Sequence, residues 1–299
     1  MTEEKNFKKK LESFHDKYYK LLLLIPIAIL VFSFIYMFIF YSNNGDFIYK
    51  DFSLTGGTSI TISGKIDAVQ LEEALSEKLD EINTREIYDL VTRDQTALII
   101  QTKTETEEAK EILEDYLGYK LNNDNSSFEF IGSNLGENFY KQLLIAILFA
   151  FGFMAIVVFI IFRTFVPSFA VIISAFADIF MTLTLVDILG IKMSSAGIVA
   201  FLMLVGYSVD TDILLTNRIL KRYEGSLNQR IFGAFKTGIT MTLTSLLALV
   251  FALIVVSSFS IILTQIFTIL VIGLGFDIFN TWITNVSILK WYVKSKGKE

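Results

Sequence analysis

The sequence contains no cysteine, one histidine (His15) and two prolines. Without cysteine there is no disulfide, no thiolate metal site and no cysteine nucleophile. A single histidine rules out a histidine proton relay or a histidine-based metal cluster. Charge is also scarce, at 19% of residues against about a quarter in soluble domains. No glycine-rich phosphate loop, Ser/His/Asp set or metal-ligand spacing occurs. Gly56-Gly57 lacks the further glycines and the lysine of a phosphate loop and reads as a turn into a strand. An enzyme, a cofactor, a metal centre and ATP-driven chemistry are therefore not expected, nor is a nucleic-acid partner.

What the chain has instead is apolar residues, 53% of the total, with mean hydropathy +0.55. Runs of about 20 apolar residues, the length that crosses a bilayer as a helix, recur six times: Leu21–Tyr41, Tyr140–Phe162, Val166–Leu189, Ser194–Asn217, Ile239–Val256 and Ile262–Leu289. The first is too long for a signal-peptide core and lacks a small-residue cleavage site, so it reads as a retained span. The expected organisation is a basic arm (1–20), a first transmembrane helix (21–41), a polar domain (42–138), a bundle of five helices (139–292) and a tail (293–299).

Lysine and arginine in short flanks set orientation. The arm carries Lys5, Lys8, Lys9, Lys10, Lys17 and Lys20. The loop after the fourth span carries Lys221, Arg222, Arg230 and Lys236, and the tail Lys290, Lys294, Lys296 and Lys298. An even number of spans puts these regions on one side. Both termini are expected in the cytoplasm, with the protein in the plasma membrane and the polar domain outside. That domain carries 8 basic and 20 acidic residues, but large domains cross largely regardless of charge.

Within the polar domain, Thr58–Ser63 alternates and is β-branched, which predicts a strand. Apolar residues at Val69, Leu71, Ala74, Leu75 and Leu79 predict a helix over 67–81 with Asp67 as N-cap. Glu86–Arg93 and Thr96–Thr102 read as strands of a hairpin. Glu105–Leu117 reads as a helix capped by Thr104 and stopped by Gly118, and Ser126–Ile131 as a last strand. The order βαββαβ is that of a ferredoxin-like, α+β domain.

The anomalous feature is the acid content of the spans. A carboxylate at bilayer depth costs about 2.5–3.5 kcal/mol on insertion scales, and such residues mark proton or ion paths or polar contacts between helices. In the fourth span, Gly206, Asp210 and Asn217 share one stripe, and Ser208, Asp212 and Thr216 another. Asp210 and Asp212 are about 200° apart at 100° per residue, so they meet different neighbours. A helix polar on several sides belongs at the bundle centre. Matching polarity occurs in the third span (Ser174, Asp178, Thr182), the fifth (Thr237, Thr240, Thr244, beside Lys236) and the sixth (Gly273, Asp277, Asn280, Thr281, Thr284). Asp210, Asp212, Asp277 and Asp178 are thus candidates for a proton pathway, with Arg218, Lys236, Asn217 and Asn280 as supporting polar groups. Asp187, near the loop after the third span, is expected to be solvated.

One span, a βαββαβ domain and five further spans resemble the SecF family of protein-export membrane proteins, which pairs with SecD within the RND superfamily. The resemblance covers essentially the whole chain. It is carried by Asp51-Phe52 followed by Gly56-Gly57 after the first span, and by Gly206-Tyr207-Ser208-Val209 opening the fourth-span motif that Arg218-Ile219 closes. Bacterial relatives place the acid where this chain has Thr211, and an aspartate where it has Asn217. The flanking acids and Asn280-Thr281-Trp282 look more like the archaeal type. The resemblance implies an RND-like half, an export accessory working with SecD and a SecYEG-type channel on a translocating preprotein, coupled to the proton gradient. Two other readings stand beside it: half of an RND-type exporter of small molecules or lipid, and a passive scaffold whose aspartates are structural.

Overall fold

A computed structural model describes residues 18–89, 91–221 and 225–297. Most of the basic arm, including His15, lies outside the described residues, as do Arg222 and Lys298. Six described helices are long and apolar enough to cross a membrane. The first is α1 (Leu24–Asn44), the regular part of a span that begins at Tyr18. Gly45 ends it in the left-handed conformation (φ 73°), its N–H returning to the Tyr41 carbonyl at 2.8 Å, a closure that suits glycine.

A short helix, α2 (Phe52–Thr55), leads into the domain, which comprises β1 (Gly57–Ser63), α3 (Ala68–Leu75), β2 (Asn83–Tyr88), β3 (Gln95–Thr102), α4 (Thr106–Leu117) and β4 (Ser126–Ile131). The sheet order is β2-β3-β1-β4, and every neighbouring pair is antiparallel, the ferredoxin-like arrangement. Ile60 stands opposite Ile100 on one side and Phe128 on the other. Ile60, Ile62, Leu98 and Ile100 pack against Leu71 and Leu75 of α3 and Ala109 and Leu113 of α4. Each fully buried Leu or Ile contributes about 1.5–3 kcal/mol.

Local competition shortens two elements. Helix α3, capped by Asp67 through the Val69 and Gln70 amides (3.0 and 3.1 Å), stops at Leu75, short of residue 81. The Asp80 carbonyl is instead claimed by Lys103 N (2.9 Å) and Thr102 Oγ1 (2.7 Å). The same exchange occupies Thr104, whose hydroxyl accepts from Asp80 N (3.0 Å), so α4 starts after Glu105 without a side-chain cap. Strand β2 ends at Tyr88 because Asp89 Oδ1 collects the amides of Val91 and Thr92 (2.8 Å each), an Asx-type turn.

The bundle follows as α5 (Ser133–Phe162), α6 (Phe165–Ile188), α7 (Ser195–Lys221), α8 (Leu227–Val256), α9 (Ile261–Phe279), one π-helical segment (Asn280–Asn285) and α10 (Val286–Ser295). The last span is continuous from Ile261 to Ser295, past the expected end at Leu289. Burial separates the helices: 56% and 50% of the most apolar stretches of α6 and α7 are enclosed, against 6% and 11% for α5 and α8. The third and fourth spans form the centre.

Two ends of the bundle are tied differently. At one, Ser287 Oγ donates to the Tyr19 carbonyl (3.1 Å) and the Lys290 and Lys294 ammonium groups each lie 5.6 Å from the Tyr19 ring centre. This brings the first and last spans together where they begin and finish. At the other, the stalk after α1 pairs with the loop between α6 and α7: Met193 N donates to Tyr49 O (2.5 Å) and Asp51 N to Met193 O (2.9 Å). Ser195 N donates to Ser53 Oγ (3.0 Å). The Gly56-Gly57 turn fits here because nothing larger would. A Cβ on Gly56 (φ 84°) would sit 2.4 Å from Ser133 Cα, and one on Gly57 (φ 140°) 2.4 Å from Thr102 O.

Candidate functional site

Three carboxylates meet at the bundle centre, one from each of α6, α7 and α9. Asp178, Asp212 and Asp277 are 0%, 0% and 1% exposed. Their donors are neutral. Asp178 accepts from Ser208 Oγ of α7 and from Asn280 Nδ2 (2.7 Å). Asp277 accepts from Thr211 Oγ1 (3.0 Å to either oxygen) and Thr281 Oγ1 (3.1 Å). Asp212 accepts from Asn285 Nδ2 (2.7 Å). Thr284 Oγ1 donates to Asn280 Oδ1 (3.1 Å), orienting that amide so that its nitrogen faces Asp178. Among the described residues no lysine or arginine forms an ion pair with any of the three.

The π-helical segment makes this set possible. Asn280 and Asn285 are five residues apart, about 140° around a regular α-helix. The wider π turn, with its i→i+5 period, turns both inward, one to Asp178 and the other to Asp212. Asn285 had no place in the sequence reading, although it follows Asp277 and Thr281 at i+8 and i+4.

Satisfaction is uneven. Of the cluster's carboxylate oxygens, only Asp212 Oδ2 is buried without a hydrogen-bond partner. Three more such atoms belong to its surroundings: Asn285 Oδ1, Ser174 Oγ on α6, and Thr216 Oγ1 one turn along α7. Ser174 and Thr281 face Asp212, and the three carboxylates are close enough to repel one another. Three unpaired negative charges in an apolar bundle is the costliest state of such a set. The chemistry it supports is proton exchange: a proton on Asp212 gives its second oxygen a hydrogen to donate, whereas Asn285 Oδ1 can only accept and the Ser174 and Thr216 hydroxyls can do either. Among the described residues no group of three acids or histidines is arranged to hold a metal ion.

The other candidates lie elsewhere. Asp210 is exposed on the outer face of α7, alongside Val199, Met203, Gly206 and Tyr207. Arg218 Nη2 donates to Thr237 Oγ1 (2.9 Å), tying α7 to α8. Lys236 is exposed on α8 beside Thr240 and Thr244. Asn217 is half-buried with its Oδ1 unpartnered. Of the motif residues, Ser208 enters the cluster, while Gly206 and Tyr207 stay on the exposed face. Asp51 and Gly56-Gly57 belong to the domain junction. Burial raises the Asp51 carboxyl above the usual range, opposed by the Phe52 and Ser53 amides and Lys192. Asp187, expected in solvent, is 2% exposed, because the stalk folds over the end of α6.

A family model described as "Protein export membrane protein SecD/SecF, C-terminal" matches residues 112–295. The chain is 41% identical to the protein-export membrane protein SecF of Methanocaldococcus jannaschii, over 93% of this chain and 96% of that protein. It is 38% identical to the SecF of Methanothermobacter thermautotrophicus, over 94% and 95%, and 33% identical to that of Pyrococcus furiosus, over 98% and 97%. Among solved structures, SecDF of Thermus thermophilus, a translocon-associated membrane protein, superposes with a TM-score of 0.72 at 18% identity over 92% of this chain. This chain spans 38% of that longer protein, and at such identity the likeness concerns the fold.

Proposed function

The chain belongs to the SecD/SecF family of protein-export membrane proteins, and from that premise we propose that its buried carboxylate cluster couples proton movement to preprotein export. The observation that carries this reading is the cluster itself: Asp178, Asp212 and Asp277 are enclosed, held by neutral donors only, with one oxygen of Asp212 left without a partner. A structural contact needs no such surplus of acid, and each uncompensated charge costs the bundle stability. Side chains that gain and lose a proton justify that cost.

In this reading the protein lies in the plasma membrane with both termini in the cytoplasm and the ferredoxin-like domain outside. A SecD-type subunit supplies the other half of the bundle, and the pair serves a SecYEG-type channel. The exposed face of α7 supports the place of the partner. Asp210, Tyr207 and Gly206 are exposed there, as are Lys236, Thr240 and Thr244 on α8, and lipid would be a poor neighbour for a carboxylate.

The test is export of a preprotein into vesicles holding this chain, its SecD-type partner and the channel, with and without an imposed proton gradient. Asp212→Asn and Asp178→Asn are expected to remove at least about tenfold of the gradient-dependent part (about 1.4 kcal/mol of coupling), leaving gradient-independent export intact. Full stimulation in both variants would overturn the reading.

A further inference from the structure

Asp187 is a buried carboxylate that the cluster does not use. It lies in the last turn of α6, 2% exposed, and neither Oδ1 nor Oδ2 has a hydrogen-bond partner. It sits nine residues along the helix from Asp178, half a turn out of phase, so it does not extend that network. What covers it is the stalk between α1 and the domain. The Tyr49 backbone amide lies beside it, short of hydrogen-bond geometry. The Tyr49 carbonyl is the acceptor of the first bond joining stalk to loop, and Asp51 N makes the second.

The groups facing Asp187 come from each neighbouring element. From α1 comes the Tyr36 phenol, from α5 the Tyr140 phenol, and from the stalk the Asp46 carboxylate. None of these is a cation. Lys50, next to Tyr49, is held by Asp46 at 2.8 Å and lies 4.9 Å over the Tyr140 ring. Tyr140 Oη donates to Asp46 Oδ1 (2.6 Å). The local donors are thus spent on Asp46.

We propose that Asp187 is a second proton-binding site, apart from the carboxylate cluster, whose protonation latches residues 48–51 of the stalk to the loop between α6 and α7. A neutral carboxyl has a hydrogen to donate, and the Tyr49 carbonyl keeps a second lone pair to receive it. An ionised carboxylate accepts only, is repelled by a second acid, Asp46, and needs water or a freed amide. The cheapest source of both is an opened bridge. The loop released in that way leads directly into α7, the helix that carries Asp212. The proposal rests on no step at the cluster.

Amide exchange of Met193 and Asp51, in the full chain in vesicles and referred to the intrinsic rate at each pH, reads the bridge itself. Protection of both amides is expected to fall as pH rises, by up to about tenfold per unit, the limit for one proton. Asp187→Asn, a neutral isostere, should keep both protected throughout, and Asp187→Glu should restore the pH dependence. Asp212→Asn should leave the profile as in the unaltered chain, which separates this site from the cluster. Exchange at Ile60 and Ile100 in the sheet checks that each variant is folded. A flat profile in the unaltered chain, an Asp187→Asn profile that still titrates, or an Asp187→Asn bridge open at every pH in a folded domain would each overturn the latch.

Discussion

Asp210 and Asp212 are two residues apart on one helix, and they live in different solvents. Asp212 faces α6 and the last span with Ser208 and Thr216 and is fully enclosed, whereas Asp210 faces outward with Gly206 and Tyr207. The two faces are built differently. The inner face meets neutral donors from neighbouring helices within the chain. On the outer face Val199, Met203, Gly206 and Tyr207 accompany a carboxylate, and a small residue beside a polar one suits another helix. In a membrane, then, the position of an acid along the sequence says little about its role. The helix that takes its face decides whether it works within the chain or at a boundary.

The widest separation between the two faces is expected in coupling. Asp212→Asn should cost at least about tenfold in gradient-dependent export. Asp210→Leu should instead weaken recovery of the SecD-type partner by about fivefold (about 1 kcal/mol), while leaving the isolated chain as stable as before. Recovery and stimulation read on the same preparations check both, and a loss of partner on altering Asp212 but not Asp210 would invert the assignment of faces.

Glycine sharpens the same contrast in stability. A Cβ on Gly273 would come within 2.5 Å of both Leu204 methyls, where α9 crosses α7; a Cβ on Gly206 would meet nothing within 4 Å. Gly273→Ala should therefore destabilise the isolated chain by about 1–3 kcal/mol through overpacking. Gly206→Ala should cost nothing there, and helix propensity favours it by up to about 1 kcal/mol. Unfolding in detergent with increasing denaturant measures both. Asn285→Ala falls between these. Losing one donor to Asp212 should cost about 1 kcal/mol, and spectra should show the π-helical turn relaxing toward a regular helix.

The spans were legible because their apolar runs are long and few charges interrupt them. The domain was legible because Ile60, Ile62, Leu98 and Ile100 alternate while Leu71 and Leu75 follow helical spacing. The wheel also separated Asp210 from Asp212, but not which of them turned inward, since that depends on packing against Asn285 and Ser174 from other spans. Asn285 was passed over although it continues the row of Asp277 and Thr281; what the wheel could not show is that Asn280 and Asn285 both turn inward, because the backbone there winds wider than 3.6 residues per turn. Asp187 escaped because its cover comes from Tyr49, 138 residues earlier in the chain. Element ends moved where a distant partner outbid a local cap, as Asp80 did for Thr104.

The smallest expected effect concerns an acid outside the spans, Asp51, where water and backbone amides soften what burial does. Its carboxyl is held above the usual range by burial, against the pull of the Phe52 and Ser53 amides and of Lys192. The folded protein therefore binds this proton more tightly than the unfolded chain. Its contribution to stability is present in full below the ordinary carboxylate value, and is lost as pH rises through the raised one. Asp51→Asn should flatten that decline in the unfolding midpoint of the domain, measured in the full chain from pH 3 upward. The change should be modest because Asp51 is only half-buried and solvent screens it. If Asp51→Asn changes the pH dependence of that midpoint as much as Asp187→Asn does in the same measurement, burial within the bundle is not what distinguishes these two carboxylates.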